Sequence, residues 1–345
     1  MRAASPESGG RSPAAASESA AVSVRGLARS FSTRGKAGTP GKRQAVAGLD
    51  FEVRPGELFG LVGPDGAGKT TTLRMLAGVL RPSAGDAIVD GISVVTDPEA
   101  VKPRLAYMSQ RFGLYTDLTV DENLEFYADL FGVPRSERAA RRERLFAFSN
   151  LGPFRDRLAG ALSGGMKQKL GLSCALIHEP RVLLLDEPTF GVDPVSRRDL
   201  WRIVHEMVGR GVTAIVSTAY LDEAERFDRL AFLHDGHLLA LDSPRALAAA
   251  FRGELFEVRL PRARAARPLV ETLPGVVRAQ VFGDGLHVTL ARPEAAADPR
   301  AGDFRAALSA HLAAAGHPAT AIVPIEPVLE DVFLARIAEA EGGAA

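Results

Sequence analysis

Apolar runs of strand length alternate with stretches of helical periodicity through the first 250 residues. The runs of strand length lie at 22–31, 58–62, 105–108, 182–185 and 212–216. The helical stretches lie at 69–80, 120–131, 136–148 and 194–209. Parallel strands need a crossover connection, which is usually a helix, so this order predicts a largely parallel sheet with helices on both faces. We therefore predict an α/β domain over residues 21–250.

The pattern changes after residue 251. Residues 254–260 alternate like a strand, and Gly283-Asp284-Gly285 separates two further alternating runs, which is a good hairpin signal. Helical stretches at 304–315 and 327–338 flank a short apolar run at 319–323. The order β-α-β-β-α-β predicts a small ferredoxin-like α+β domain over residues 254–340.

Two segments have the composition of irregular chain. The first 20 residues are rich in Ala, Ser, Gly and Pro and lack the long apolar core of a secretion signal, so we expect a disordered lead. The segment 32–43 contains several Gly and Pro residues and is predicted to be a flexible connector.

Composition excludes some classes of protein. The 42 basic and 42 acidic residues balance, which argues against a nucleic-acid binder with a broad basic face but leaves a local patch open. The single cysteine, Cys174, lies in an apolar helical run and is predicted to be a buried packing residue in a reducing compartment. No apolar run approaches the roughly 18 residues of a membrane span.

The segment G-P-D-G-A-G-K-T matches the phosphate-binding pattern G-x-x-x-x-G-K-[ST], between a predicted strand and a predicted helix. Glycines let backbone N–H groups point at phosphate oxygens, and a helix N-terminus adds partial positive charge. Lys69 is expected at the β- and γ-phosphates, and the Thr70 hydroxyl on Mg²⁺. The alternative is a Gly-rich turn without a ligand. The predicted binding residues are Gly63, Pro64, Asp65, Gly66, Ala67, Gly68, Lys69, Thr70 and Thr71.

The segment V-L-L-L-D-E-P is an apolar strand that ends in two carboxylates, Asp186 and Glu187. An acidic pair at the end of a central strand is costly unless a cation or a polar ligand meets it. Asp186 is predicted to hold Mg²⁺, and Glu187 to orient or deprotonate an attacking water. The alternative is that the pair caps the next helix.

A third motif, L-S-G-G-M-K-Q at residues 162–168, opens an apolar helix before the acidic strand. By itself S-G-G is also typical of an N-cap and turn. In this order, however, the three motifs resemble the ATP-binding subunits of ABC transporters, whose signature is L-S-G-G-Q. The resemblance covers residues 22–247. It implies a P-loop NTPase core with an antiparallel β subdomain and a helical subdomain at about 111–178.

The resemblance also implies roles for individual residues. Phe31 occupies the position of an aromatic that stacks on adenine, although a core position is the alternative. Gln110 matches a glutamine that contacts Mg²⁺ and water. Ser163, Gly164 and Gly165 would face the ATP held by a second subunit. Asp193 would lie in the loop that crosses the dimer interface.

Two departures from the family pattern stand out. Asp65 replaces the more usual Asn, and we expect its carboxylate to point away from the triphosphate or to meet a positive group. Ala219, in S-T-A-Y-L-D-E-A, replaces a histidine that holds the γ-phosphate and the catalytic water in the family. A methyl group can neither donate a hydrogen bond nor titrate. His234 and His237 are predicted to be exposed turn residues.

The resemblance implies an ATPase that powers export of the multidrug type, with ATP and Mg²⁺ as ligands. The expected partners are a second ATPase subunit and integral-membrane permeases, at the cytoplasmic face of the cell membrane, and no nucleic acid. The combination of motifs with Ala219 is similar to the first half of tandem two-ATPase exporters. The alternatives are a weakened switch subunit that pairs with a competent ATPase, and a soluble ABC protein. The tail E-P-V-L-E-D-V-F-L resembles the end of drug and polysaccharide exporters and suggests regulation or dimer contact, or packing on its own small domain.

Overall fold

A computed structural model describes residues 20–34, 40–110, 113–290 and 300–342 of the chain. The predicted disordered lead lies outside these ranges except for residue 20. The strands are β1 (Val22–Arg34), β2 (Pro40–Val53), β3 (Leu58–Val62), β4 (Ala84–Val89), β5 (Ile92–Ser93), β6 (Leu105–Met108), β7 (Val182–Asp186), β8 (Thr213–Thr218), β9 (Arg229–His234), β10 (His237–Asp242), β11 (Glu254–Arg259), β12 (Val276–Phe282), β13 (Gly285–Leu290) and β14 (Ala321–Pro324).

The helices alternate with these strands. They are α1 (Lys69–Leu76), α2 (Pro98–Val101), α3 (Val120–Leu130), α4 (Arg135–Ser149), α5 (Gly164–Leu176), α6 (Pro194–Gly209), α7 (Leu221–Ala224), α8 (Pro244–Ala249), α9 (Ala263–Glu271), α10 (Arg300–Ala314) and α11 (Leu329–Gly342). Among the described helices, none has both the length and the apolar content needed to cross a bilayer.

The central sheet has the strand order β10-β9-β3-β8-β7-β6. Only β10 runs antiparallel to its neighbour; the other pairs are parallel. Every residue of β3 and of β7 is buried, as expected for strands covered by helices on both faces. The predicted α/β fold class is confirmed. The carboxyl ends of β3, β6, β7 and β8 therefore meet along one edge of the sheet.

A second sheet, which is antiparallel, has the strand order β2-β1-β4-β5. In the chain, β1 and β2 precede β3, and β4 and β5 follow α1. The prediction of a flexible connector over residues 32–43 is wrong at both ends. β1 runs on to Arg34 and pairs with β2 as far as Pro40. Gly and Pro are tolerated near the ends of a two-stranded ladder, where few backbone N–H groups are needed. Residues 35–39 lie outside the described ranges.

Local capping sets the helix ends. The helix predicted over 69–80 ends at Leu76, because Gly78 two residues later takes a left-handed φ of 65° that stops a helix. α3 begins at a capping box, in which the Thr119 hydroxyl accepts from the Glu122 N–H and the Glu122 carboxylate accepts from the Thr119 N–H. α3 and α4 match the predicted helices within one residue.

The C-terminal segment forms a third sheet with the order β12-β13-β11-β14, all antiparallel. With α9 and α10 this is the predicted β-α-β-β-α-β arrangement, and the small α+β fold is confirmed. Its apolar core includes Phe256, Val258, Leu286, Val288 and Leu308.

The last helix, α11, packs elsewhere. Leu329, Val332 and Phe333 belong to the apolar core of the central sheet, and the ring of Phe333 lies 5.0 Å from that of Phe232 on β9. The chain therefore returns to the first domain after completing the small one.

Candidate functional site

The loop after β3 is held rigidly against its surroundings. A Cβ atom on Gly63 would lie 2.1 Å from the carbonyl oxygen of Leu233, and one on Gly68 would lie 2.5 Å from that of Ala45. Gly68 also takes a φ of 101° immediately before α1 begins. Only glycine fits at these two positions. The loop therefore presents backbone N–H groups and the free first turn of α1 to one cavity.

Lys69 places a buried ammonium group at the start of α1. Its side chain is 4% exposed. Nζ donates to the carbonyl oxygens of Gly63 at 2.8 Å and Pro64 at 3.1 Å. It also lies 3.1 Å from Oε1 of Glu187. The Glu187 carboxylate thus balances the lysine charge in this structure.

Asp186, at the end of β7, is buried and accepts three hydroxyl hydrogen bonds. Oδ1 accepts from Oγ1 of Thr70 at 2.9 Å and from Oγ of Ser217 at 2.8 Å. Oδ2 accepts from the Tyr107 hydroxyl at 3.2 Å. Burial, together with the charge of Asp186, raises the pKa of Tyr107 to about 12. The orientation of the carboxylate is therefore set from two neighbouring strands and from α1.

Glu187 follows with a left-handed φ of 48°. Such a conformation is unfavourable by about 1–2 kcal/mol for a residue with a Cβ and often marks a functional site. The Glu187 N–H donates to Oγ of Ser217 at 3.0 Å, and Oε2 accepts from Nε2 of Gln110 at 3.1 Å. Neither acidic residue caps the next helix, because Asp193 caps α6 by accepting from the Val195 and Ser196 N–H groups.

A cavity of about 600 Å³ joins most of the predicted residues. It is lined by Phe31, Arg43, Ala45, Asp65, Gly66, Ala67, Gly68, Lys69, Thr70, Thr71, Gln110 and Glu187. Phe31 is 38% exposed, with the Arg29 guanidinium 4.8 Å from its ring centre, so it is not a core residue. Asp65 is exposed at the rim, and Arg43 supplies a positive charge on the same rim.

The signature residues and Asp193 do not line this cavity. Ser163 caps α5 by accepting from the Met166 N–H at 3.3 Å, as the N-cap interpretation predicts. A Cβ on Gly165 would lie 2.1 Å from Oγ of Ser196 and 3.1 Å from Oδ2 of Asp193. Ser163, Gly164, Gly165 and Asp193 thus form a second cluster on the same chain. The Ser196 N–H lowers the pKa of the Asp193 carboxyl.

Three residues of the site, Tyr107, Ser217 and Arg43, are not predicted from the sequence. Asp186 pairs directly with Ser217 across β7 and β8, and Tyr107 lies on β6 beside β7. The position of polar residues near the ends of adjacent parallel strands was the available signal. Arg43 had no such signal, because its segment was taken for a connector; it lies opposite Phe31 on β2.

Ala219 follows β8 directly and is exposed. The next residue, Tyr220, lies under the Arg197 guanidinium at 5.0 Å. His237 is exposed beside the β9–β10 turn, as predicted, but the prediction is wrong for His234, which is half-buried at the end of β9. Neither histidine lines the cavity.

The donor set suits a nucleotide triphosphate and a hard divalent cation. The loop N–H groups and the Lys69 ammonium provide positive charge for phosphate oxygens. The hydroxyl of Thr70 and the carboxylate of Asp186 are oxygen ligands of the kind Mg²⁺ prefers, usually completed by water and substrate phosphates. Among the described residues there is no cluster of three or more His, Cys, Asp or Glu side chains that would bind a metal without such help.

Comparisons with known proteins agree with this geometry. The family model described as ABC transporter matches residues 46–190. The "Probable multidrug ABC transporter ATP-binding protein YbhF" of Escherichia coli (strain K12) is 43% identical over 319 residues, 91% of this chain and 52% of that protein. The chain thus spans about half the length of that relative.

Two relatives are matched over more of their length. The Nod factor export ATP-binding protein I of Burkholderia pseudomallei (strain 1710b) is 39% identical over 72% of this chain and 82% of that protein. The daunorubicin/doxorubicin resistance ATP-binding protein DrrA of Streptomyces peucetius is 37% identical over 67% of this chain and 71% of that protein.

Solved structures share the fold. An ATP-binding subunit of an ABC transporter aligns with a TM-score of 0.57 and 29% identity over 66% of this chain and 92% of that one. A dimeric ATP-binding cassette in a post-hydrolysis state, bound to ADP and Pi, aligns with a TM-score of 0.58 over 64% of this chain and 98% of that one. At 22% identity the second match shows the fold alone.

Proposed function

The chain belongs to the ABC transporter family of ATP-binding proteins, and we propose that it hydrolyses ATP to power multidrug-type export through separate membrane permeases. The observation behind this proposal is that Lys69, Thr70 and Glu187 line one cavity, and that the buried Asp186 accepts a hydrogen bond from Thr70. The names of two relatives, a multidrug ABC transporter ATP-binding protein and a Nod factor export ATP-binding protein, support an export role. We further propose an ATPase domain over residues 21–250 and a regulatory or dimer-contact domain over residues 254–340, whose last helix, α11, packs on the core of the central sheet.

The loop after β3 and the residues beside it form the proposed nucleotide-binding site. We assign the phosphates to the loop of residues 63–68, Lys69, Thr70 and Thr71, with adenine on Phe31. Arriving phosphate oxygens compete with the Glu187 carboxylate for the Lys69 ammonium, now 3.1 Å away. Lys69 is thereby neutralised by substrate, and the Glu187 carboxylate becomes available as a base.

The carboxylates of Glu187 and Asp186 have separate roles in the proposed hydrolysis. Glu187 orients the attacking water and accepts its proton, and the Gln110 amide holds that carboxylate in place. Thr70, Gln110 and Asp186 are the residues that would hold Mg²⁺. When bound, the ion neutralises charge on the phosphate oxygens. The Ser217 and Tyr107 hydroxyls keep Asp186 oriented throughout.

The second cluster points to an assembly. Ser163, Gly164, Gly165 and Asp193 lie outside the cavity of their own chain, and we propose that they complete the ATP site of a second ATPase subunit. The pair would act with permeases at the cytoplasmic face of the cell membrane.

Ala219 favours a second candidate, a weakened subunit that pairs with a competent ATPase. Its methyl group stands two residues after Ser217, at the end of β8 where the catalytic side chains gather. Loss of one positioning hydrogen bond to developing charge reduces the rate by about 10²–10³-fold.

Steady-state Mg-ATPase turnover of the purified chain and of Ala219→His separates these candidates. If the chain is a self-sufficient ATPase, we expect substantial turnover that Ala219→His changes little. If the chain is a weakened subunit, we expect tight ATP binding and low turnover in the wild type. Turnover should then rise about 10²–10³-fold in the variant. Absence of ATP binding in both proteins would contradict both candidates.

A further inference from the structure

A second cavity, which the proposed ATPase chemistry does not use, lies at the opposite edge of the central sheet. It is bounded by α4, by the chain entering β7 and by the chain entering β8, so it sits at the amino ends of strands whose carboxyl ends face the nucleotide cavity. Its volume is about 320 Å³. This is at the lower end of the range for small-molecule sites.

The interior of this cavity is apolar. Leu145, Leu176 and Met207 are buried in its floor, and Phe148 and Val212 are partly buried beside them. These side chains come from α4, α5, α6 and the start of β8, and belong to the core of the central sheet or pack on it. A ligand tail that enters here therefore exchanges water for apolar contacts.

The mouth is basic. Four arginines and one carboxylate line it: Arg141, Arg144, Arg181, Arg210 and Glu179. Four of these residues also line an outer vestibule of about 520 Å³, together with Ser136, Glu137 and Ala140. The polarity thus changes from apolar at the floor to cationic at the entrance.

The present partners of the arginines are carboxylates. Glu179 accepts from Arg144 and lies 3.2 Å from Nη2 of Arg141, which also pairs with Glu137. Arg141 donates to the carbonyl of Ile177 through Nη1.

The remaining two arginines pair with carboxylates that do not line the cavity. Arg210 pairs with Glu206 and lies 4.4 Å from the ring centre of Phe148. Arg181 pairs with Asp90 at 3.4 Å.

Of the carboxylates that the structure describes, Glu179 is the one that lines the mouth of this cavity. Its carboxylate sits between two guanidinium groups, its φ is 56°, and its side chain is 54% exposed. Each guanidinium has five N–H donors, more than these contacts use. An exposed carboxylate of this kind can be replaced by a ligand carboxylate that also fills the apolar floor.

We propose that this cavity binds a small amphipathic anion, with its acidic head at Arg141 and Arg144 and its aliphatic tail on Leu145, Leu176 and Met207. The head replaces the Glu179 carboxylate, which moves into the vestibule. Among the described residues of the mouth and vestibule, an aliphatic cation finds only carboxylates that already pair with arginines, and a short acid gains nothing from the floor.

Isothermal titration of the full chain with decanoate tests the site, with acetate and decyltrimethylammonium as ligand controls. The expected result is saturable binding of one decanoate per chain, without comparable binding of either control. Arg144→Gln is expected to weaken decanoate binding about tenfold, which corresponds to the loss of one charge-assisted hydrogen bond at a partly exposed position.

Two further variants make the result specific. Met207→Trp fills the floor and is expected to abolish binding. Arg142→Gln is the matched control, because Arg142 lies on the same helix but pairs with Asp121 and Glu125 and does not line the cavity. Equal binding of decyltrimethylammonium, unchanged affinity in a folded Arg144→Gln protein, or no saturable binding to the wild-type chain would each overturn the proposal.

Discussion

At the scale of single residues, the carboxylates of Asp186 and Glu187 are held in defined orientations by their contacts. Asp186 accepts three hydroxyl hydrogen bonds from Thr70, Ser217 and Tyr107. Glu187 is held by its backbone conformation and by the Gln110 amide. Preorganised groups of this kind need no rearrangement at the moment of reaction.

Tyr107 offers a pH test of this arrangement. Its pKa is raised to about 12, chiefly by burial and then by the Asp186 charge, so the folded state favours the neutral phenol. The stabilisation is fully present below the unfolded pKa of about 10 and is lost as the pH rises toward 12. An ultraviolet titration should show that Tyr107→Phe removes one late-ionising tyrosine. The idea fails if the variant loses a tyrosine that ionises at the ordinary pH.

Gly63 tests the rigidity of the loop. A methyl group there would meet the Leu233 carbonyl at 2.1 Å, so Gly63→Ala should force the backbone to shift. We expect a loss of about 1–3 kcal/mol in the free energy of unfolding and weaker ATP binding. Denaturant titration measures the first quantity. Gly209→Ala on α6 is the control, since a Cβ there meets open space and should be neutral or slightly stabilising.

At the scale of elements, much was predictable because the signals were local. The buried strands β3, β7 and β8 are short apolar runs, and the helices α3 and α4 follow periodicity and caps. The β1–β2 hairpin was not predictable from composition, since its Gly and Pro residues are typical of loops. The meeting of Tyr107, Ser217 and Asp186 depends on strand order, which a single sequence does not give directly.

The packing of helix α11 was also not predictable from the sequence. Its apolar residues predict a helix, but they do not indicate which of the two apolar cores it joins. It is tied to the small domain by Asp331, whose Oδ1 lies 2.8 Å from Nδ1 of His287 on β13. Its face with Val332 and Phe333 packs on the core of the central sheet. The element therefore connects the two domains.

Phe333→Ala tests this connection. The side chain is 6% exposed and contacts Phe232, so its removal leaves a cavity in the first core. We expect a loss of about 3–5 kcal/mol in the free energy of unfolding of the ATPase domain. Denaturant unfolding followed by fluorescence of Trp201, which is buried in the same core, measures it. Glu339→Ala on the same helix is the control, and an equally small effect of both substitutions would contradict the packing.

At the scale of the whole molecule, the three regions for which we propose a function are separated in space. The nucleotide cavity lies at the carboxyl edge of the central sheet, and the cavity with the arginine-lined mouth lies at its amino edge. The signature cluster with Asp193 lies outside both cavities. This separation is what the proposed two-subunit ATP site requires, because one chain holds the phosphate loop while another supplies the signature residues.

We propose Glu187 as the base in ATP hydrolysis by this chain. The most direct measurement is Mg-ATPase turnover and ATP affinity of wild type and Glu187→Gln under the same conditions, with the exposed Glu225→Gln as control. We expect Glu187→Gln to abolish turnover and to retain ATP binding, while Glu225→Gln behaves like wild type. Turnover of Glu187→Gln at the wild-type rate would show that Glu187 is not the base.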